Sequence, residues 1–203
     1  MTSHEGMSRE GAGVRARLAA QLAAGGLRLT GSAPPVELVR LDEADAEALF
    51  RLIDANRAHL REWLGWLDAT DSAANVREFI AESRRQFDDD GTIVWSIRHD
   101  GEPVGVISFH AIAWDELRAS LGYWLARPAM GRGIATSALR AVVAFGFGGL
   151  GLRCLRARIA PGNTRSAALV RRLGFRSVGI IDPGEWLYGR SVAHEVFELE
   201  DMS

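Results

Sequence analysis

The sequence predicts a mixed α/β domain with a central, mostly antiparallel sheet flanked by helices. The apolar period is helical from Asp42 to Phe87, falls to two after Gly91, and then switches between the two kinds. The Asp100-Gly101 pair between two alternating runs is a tight-hairpin signal, and a hairpin makes its strands antiparallel. No internal repeat is visible, so the elements form one layered unit.

Residues 1–35 differ from the rest: Gly, Ala, Ser and Arg dominate, and Pro34-Pro35 closes the segment. Val14–Ala24 allows a short helix with Leu18 and Leu22 on one face, marginal in isolation. The segment reads as an N-terminal extension, either a flexible tail or a helix that docks, and the domain proper as 36–203. Val36–Leu41 alternates as a short strand, and Asp42 caps the helix after it. Leu49, Ile53, Leu60, Trp63, Leu64 and Leu67 recur near helical spacing through that helix and its continuation. Asp71 or Ser72 caps the next helix, whose stripe is Val76, Phe79, Ile80 and Phe87 and which ends in Asp88-Asp89-Asp90 before Gly91. Strands follow at Ile93–Arg98, Val104–His110 and Ser120–Ala126. Then come a helix at Ile134–Phe147, a strand at Leu152–Ile159, a helix at Arg165–Leu173, and strands at Phe175–Ile181 and Val192–Leu199.

Composition removes several function classes. The chain has 203 residues, 47% hydrophobic and 25% charged, with net charge -2, which gives no reason to expect nucleic acid as partner. All 24 basic residues are arginine, which excludes a Schiff-base lysine and a Walker-type phosphate loop. The one cysteine, Cys154, excludes an intramolecular disulfide framework and a cysteine-rich metal site, and its alternating apolar surroundings make it a core thiol. No metal is expected. No apolar run approaches the ~18 residues of a membrane span. Ala19–Ala24 is broken by Gln21 and followed by Gly25-Gly26, a poor signal-peptide core. The acid-free stretch between Glu10 and Glu37 faintly resembles a transit peptide; cytoplasm is the default expectation.

Two segments carry chemistry. From Gly122 to Thr136 a strand runs through a glycine-containing turn into a helix. Glycines let the backbone approach a ligand, and the free N–H groups of a first helical turn, at the positive end of the dipole, suit a pyrophosphate. On spacing alone, a plain turn is the better explanation of Gly131-Arg132-Gly133. The second segment runs from Ala160 to Phe175. Its plain explanation is a capped helix with Asn163 at the start and Gly174 at the end.

Taken together and in order, these segments resemble the GNAT superfamily of acetyl-CoA-dependent N-acetyltransferases. Met130-Gly131-Arg132-Gly133-Ile134-Ala135 is similar to its Gln/Arg-x-x-Gly-x-Gly/Ala motif, with Met130 departing at the first position. Asn163-x-x-Ser166 through Leu173-Gly174-Phe175 is similar to its Asn-x-x-Ala/Ser…Leu-Gly-Phe motif. The nearest type is the RimJ/RimL ribosomal-protein N-terminal acetyltransferases, on three segments: Asn56–Trp66, Asn163–Ser166, and Glu185-Trp-Leu-Tyr-Gly189. The resemblance covers about residues 36–200, as far as the predicted elements run. It implies the GNAT fold, with strands splayed at the acetyl-CoA site. It also implies direct attack of an amine on the thioester without an acyl-enzyme.

The resemblance assigns roles residue by residue. Trp124, Leu125 and Ala126 with Gly131, Arg132, Gly133, Ile134, Ala135 and Thr136 would hold acetyl-CoA, together with Asn163 and Ser166. The backbone N–H near Leu125 would bind the thioester carbonyl, and Pro128, without an N–H, would help end the pairing. Ser166 would donate to the leaving thiolate. Glu185, which follows Pro183-Gly184, is the first choice of base; Glu62 is the reserve, and His110 and His194 stay open. Val170 stands where many relatives carry an acidic tyrosine and cannot donate a proton. Trp63, Trp66, Trp124 and Trp186 are either acceptor-pocket walls or core. The acceptor expected is a peptide or protein N-terminus. A small amine such as an antibiotic or polyamine, or a non-catalytic acetyl-CoA-binding module, is the alternative, and oligomeric state, a homodimer included, is open.

Overall fold

The computed structural model describes residues 9–23 and 28–201. The helices are α1 (Arg9–Ala23), α2 (Ala46–Ala55), α3 (Arg57–Leu60), α4 (Ala73–Asp90), α5 (Ile134–Ala144) and α6 (Thr164–Arg172). The strands are β1 (Arg28–Ser32), β2 (Pro35–Arg40), β3 (Ile93–His99), β4 (Glu102–Ala113), β5 (Arg118–Leu125), β6 (Cys154–Ile159), β7 (Arg176–Leu187) and β8 (Arg190–Glu200). They form one sheet in the order β1-β2-β3-β4-β5-β6-β8-β7. Among the described residues only β5 and β6 are parallel neighbours. This is the mixed, mostly antiparallel architecture that the sequence predicts. Among the described residues no helix is long and apolar enough to cross a membrane.

Strand alternation separates two cores. Trp95, Ile97, Ile107 and Phe109 face one side, where Ile134, Ala138 and Val142 of α5 and Ala167 and Val170 of α6 cover them. Val94 and Val106 face the other, against Leu49 and Ile53 of α2 and Val76 and Ile80 of α4. Burial of such side chains stabilises by about 1.5–3 kcal/mol each, the main force holding helices to the sheet. Cys154 is a buried thiol, and burial pushes its pKa up.

The parting of β5 and β6 positions the site. Their register runs only from Arg118–Leu121 opposite Cys154–Ala157. Beyond it β5 continues to Leu125 along β4, while Arg158 and Ile159 of β6 follow β8. Strand geometry points a residue's N–H and C=O to the same edge, alternating along the chain. The Ala126 N–H donates to Val104 O at 2.8 Å on the β4 side. The N–H groups of Tyr123 and Leu125 therefore face the opened side.

Several expectations are corrected. The sheet starts at Arg28 rather than at residue 36, because β1 pairs along its whole length with β2. An edge strand has little need of an apolar sequence. In the same extension Val14 and Leu18 of α1 are buried in the larger core, while residues 1–8, 24–27 and the Leu22 side chain lie outside the described residues. Asp42 caps a 3-10 turn, Glu43–Asp45, ahead of α2: it accepts from the Ala44 N–H, and Asp45 accepts from its own N–H. That backbone bond is the leading cause holding the Asp42 carboxyl below its ordinary value. Ser72, rather than Asp71, caps α4. Phe79 is 50% exposed: the buried line of α4 is Val76, Ile80, Ser83 and Phe87, and Phe79 falls one residue off it. The helix predicted from residue 134 ends at Ala144 and runs into a π-turn, Phe145–Gly149. The strand expected to end at Ile181 runs on to Leu187 with a bulge at Pro183-Gly184, and its hairpin turns at Tyr188-Gly189, both with positive φ.

Candidate active site

The turn after β5 has the backbone form an anion needs. Pro128 lies in a 3-10 turn, Arg127–Ala129, that stops the strand. Gly131 and Gly133 follow with φ of 75° and 78°, a left-handed conformation that costs side chains about 1–2 kcal/mol. Gly131, Arg132 and Gly133 are all exposed. The Ser137 N–H bonds to Gly133 O at 3.0 Å. The N–H groups of Ile134, Ala135 and Thr136 lie ahead of that bond, at the positive end of α5. The Ile134 side chain is buried and anchors the turn. Arg132 Nη2 reaches His99 Nε2 at 3.1 Å, and His99 Nδ1 donates to Pro35 O at 2.8 Å.

Opposite this turn, Asn163 accepts from the Ser166 N–H at 3.2 Å and caps α6. The Ser166 hydroxyl meets the Tyr123 phenol, one strand away, at 2.8 Å. Burial pushes the Tyr123 pKa above its ordinary value, so the phenol stays protonated at neutral pH. Trp124, next along β5, packs on the opposite core. Leu125 and Ala126 are buried at the strand's end.

The segment from Asn56 to Trp66 touches the end of β5, the loop before α6 and the β7–β8 hairpin. His59 Nε2 donates to Leu125 O at 2.9 Å, and Asn56 Oδ1 accepts from the Arg127 N–H at 2.8 Å. The Trp63 ring lies 3.5 Å from where a Cβ on Gly162 would sit, before α6. Tyr188 of the β7–β8 turn donates to Leu64 O at 2.7 Å, with Arg61 stacked over its ring at 3.8 Å. Glu185 Oε1 lies 3.3 Å from the Cβ position of Gly65, and Glu185 Oε2 is 3.6 Å from His194 Nε2.

The structure thus joins Ser166 and Asn163 to β5 through Tyr123, while Leu125 and Glu185 each meet the Asn56–Trp66 segment, at His59 and beside Gly65. Glu62 and Trp66 are exposed on that segment, and Trp186 is 69% exposed on the hairpin. His110 is exposed and sits against Gly122. Met130 is half-buried on the larger core, and Val170 is fully buried, so its side chain belongs to packing. Sequence reasoning missed Tyr123, His59 and Asn56. Tyr123 was readable, since period-two alternation puts it on the same strand edge as Leu125. His59 and Asn56 lay within the Asn56–Trp66 segment that carries the resemblance, but nothing local marked their hydrogen bonds to the end of β5. Among the described residues no group of three or more His, Cys, Asp or Glu is placed to hold a metal ion.

Comparison with known proteins agrees with this geometry. A family model described as acetyltransferase (GNAT) domain matches residues 36–176. YdaF of Bacillus subtilis (strain 168), a protein ascribed ribosomal N-acetyltransferase activity, is 34% identical over 157 residues, 77% of this chain and 85% of that protein. The ribosomal-protein-serine acetyltransferase of Escherichia coli (strain K12) is 27% identical over 152 residues, 75% of this chain and 85% of its own length. RimL, a ribosomal L7/L12 α-N-protein acetyltransferase solved with coenzyme A, superimposes with a TM-score of 0.80 at 25% identity, over 85% of this chain and 97% of RimL. RimJ of Mycobacterium smegmatis, solved with CoA-disulfide, gives 0.78 at 26% identity over 86% of each chain. With the strand parting, the glycine turn and the capped helix all in the order of the matched region, the chain belongs to the GNAT acetyltransferase family and is an acetyl-CoA-dependent N-acetyltransferase.

Proposed function

We propose that the acceptor is the α-amine of a protein or peptide N-terminus, attacked directly without an acyl-enzyme. The observation that carries this is the position of Glu185 on the β7–β8 hairpin, against Gly65 and beside His194. A carboxylate there is a base of modest strength, suited to an α-amine with a reference pKa of about 8 rather than to a lysine side chain near 10.4. RimL, which acts on the α-amine of ribosomal L7/L12, and the Escherichia coli ribosomal-protein-serine acetyltransferase support the same acceptor class.

The residues fit the proposed co-substrate. The exposed Gly131–Gly133 turn and the first N–H groups of α5 suit a diphosphate, with Arg132 adjacent. Trp124, Leu125 and Ala126, with Asn163 and Ser166, would hold the pantetheine arm along the opened strand. Acetyl-CoA supplies an acetyl group already activated as a thioester. The Leu125 N–H orients the thioester carbonyl, and a preorganised donor of this kind lowers the barrier by about 3–4 kcal/mol. Glu185 takes the proton of the incoming amine. Ser166, itself hydrogen-bonded to Tyr123, delivers a proton to the departing sulfur.

The test is a panel of amines with acetyl-CoA, read by thiol release and product mass. It holds Ser- and Ala-starting peptides, the same peptides with blocked N-termini and an internal lysine, aminoglycosides and polyamines. Release with free N-termini and none with blocked ones is expected. Turnover on the small amines alone, or on no amine, overturns the proposal.

A further inference from the structure

We infer that His59 and Asn56 are positioning residues that stand in for one residue of the missing β6 partner and so hold the end of β5 open for the thioester. In a parallel sheet, a partner residue opposite position i donates its N–H to the C=O of i−1 and accepts from the N–H of i+1. Opposite Ala126 those two groups are the Leu125 C=O and the Arg127 N–H. His59 Nε2 donates to the first at 2.9 Å and Asn56 Oδ1 accepts from the second at 2.8 Å. The two side chains come from one helical turn, three residues apart.

The pattern is fixed by chemistry on both sides. A carbonyl oxygen only accepts, so His59 Nε2 carries a proton. Asn56 Nδ2 donates to Leu52 O at 2.8 Å, which leaves its Oδ1 for Arg127. Asn56 is buried, and its own backbone oxygen receives the His59 and Leu60 N–H groups that start α3. From the other edge, the Ala126 N–H is held by Val104. The two peptide groups following Leu125 are thereby fixed in direction. One step back along the strand, the Leu125 N–H keeps the orientation a thioester carbonyl requires, while β6 has already turned away. The same clamp ties the tryptophan turn and Gly65, against which Glu185 rests, to the strand.

This inference rests on the acetyl-CoA site proposed above. A first measurement needs no ligand: long-range 1H–15N NMR of the His59 ring at neutral pH. The Nε2–H tautomer is expected, and the Nδ1–H tautomer overturns the inference. Next come turnover on an accepted peptide and calorimetric binding of CoA and acetyl-CoA. His59→Ala should lower kcat about 30-fold, the scale of a small misplacement at a reacting centre, and leave the Kd for CoA within about twofold. It should also reduce the preference for acetyl-CoA over CoA. His59→Gln, whose amide N–H reaches the same carbonyl, should recover kcat to within about fivefold of wild type. Equal rates for His59→Ala and wild type, or His59→Gln as slow as His59→Ala, overturn the inference. As a second route, Asn56→Asp keeps the oxygen facing Arg127 and should retain the slow Arg127 amide exchange that Asn56→Ala loses; equal exchange in both overturns it. A wild-type protein that binds acetyl-CoA yet acetylates no peptide fails the acceptor proposal alone, and the tautomer and binding ratio still decide this one.

Discussion

The Tyr123 phenol and the Ser166 hydroxyl stand 2.8 Å apart, one on the opened strand and one in the first turn of α6. Their contact joins the two walls between which β5 and β6 part. It also links the proposed proton donor, Ser166, to a second hydroxyl that burial keeps protonated. Ser166→Ala should lower kcat about 10–100-fold with the CoA dissociation constant unchanged, as loss of a positioned acid does. Tyr123→Phe should lower it less, because Ser166 remains. Stopped-flow turnover alongside calorimetry separates the two effects.

The pH dependence follows from the same pair. Burial disfavours the phenolate, so the Tyr123 pKa moves up from its ordinary value of about 10. The step needs the protonated form, which is therefore complete at every lower pH. A kcat–pH profile should show no alkaline fall from this group below about pH 10, and Tyr123→Phe should keep the same profile shape. A fall near neutrality that vanishes in Tyr123→Phe would contradict this.

Glu185→Gln should reduce kcat/KM about 100-fold or more while acetyl-CoA affinity stays the same, since the amide keeps the shape and loses the basicity. His194→Gln, which removes the 3.6 Å neighbour, should have a smaller effect. Equal turnover in Glu185→Gln would move the role of base elsewhere, with Glu62 the next residue to replace.

Gly131→Ala and Gly133→Ala should weaken acetyl-CoA binding. Each puts a Cβ on a left-handed residue, at about 1–2 kcal/mol, or about a 5–30-fold rise in Kd if the turn relaxes out of shape. Gly133→Ala should be the worse, because its Cβ meets Pro34 Cδ at 3.1 Å whereas nothing lies within 4 Å of Gly131. Calorimetry on both variants checks the order.

Gly31→Ala should destabilise the fold by about 1–3 kcal/mol, the usual effect of forcing atoms into a packed interface. A Cβ at Gly31 would press on the Ser137 hydroxyl and come 2.8 Å from the Ser137 carbonyl oxygen. The shift in urea midpoint measures it.

Local chemistry made the backbone of the two candidate segments legible. Gly131, Gly133, Asn163 and Gly174 each have a conformational reason tied to residue type, and a single sequence displays it. The hairpin at Asp100-Gly101 is legible for the same reason, both residues having positive φ. The strand Arg28–Ser32 was hidden because it is an edge, alternating exposed and half-buried, and its Gly-, Ser- and Arg-containing sequence blends with the tail before it. Phe79 misled because a helical stripe drawn from hydrophobicity alone does not say how wide the receiving groove is. The contacts of Glu185 with Gly65, and of His59 with Leu125, join residues 120 and 66 positions apart. Tertiary packing creates them, and no periodicity encodes such pairs.

The Ser137 hydroxyl donates to Pro34 O at 2.7 Å, and Gly31 lies flush against the same serine. The helix whose first turn is proposed to meet the diphosphate is thus buttressed from behind by the hairpin of β1 and β2. Half of that hairpin precedes residue 36, where the family match begins. A chain that began at residue 36 would keep every residue proposed to react yet lose β1, and with it the backstop of α5. Warming should then erode its grip on the nucleotide end of CoA before the chemistry at the thioester suffers.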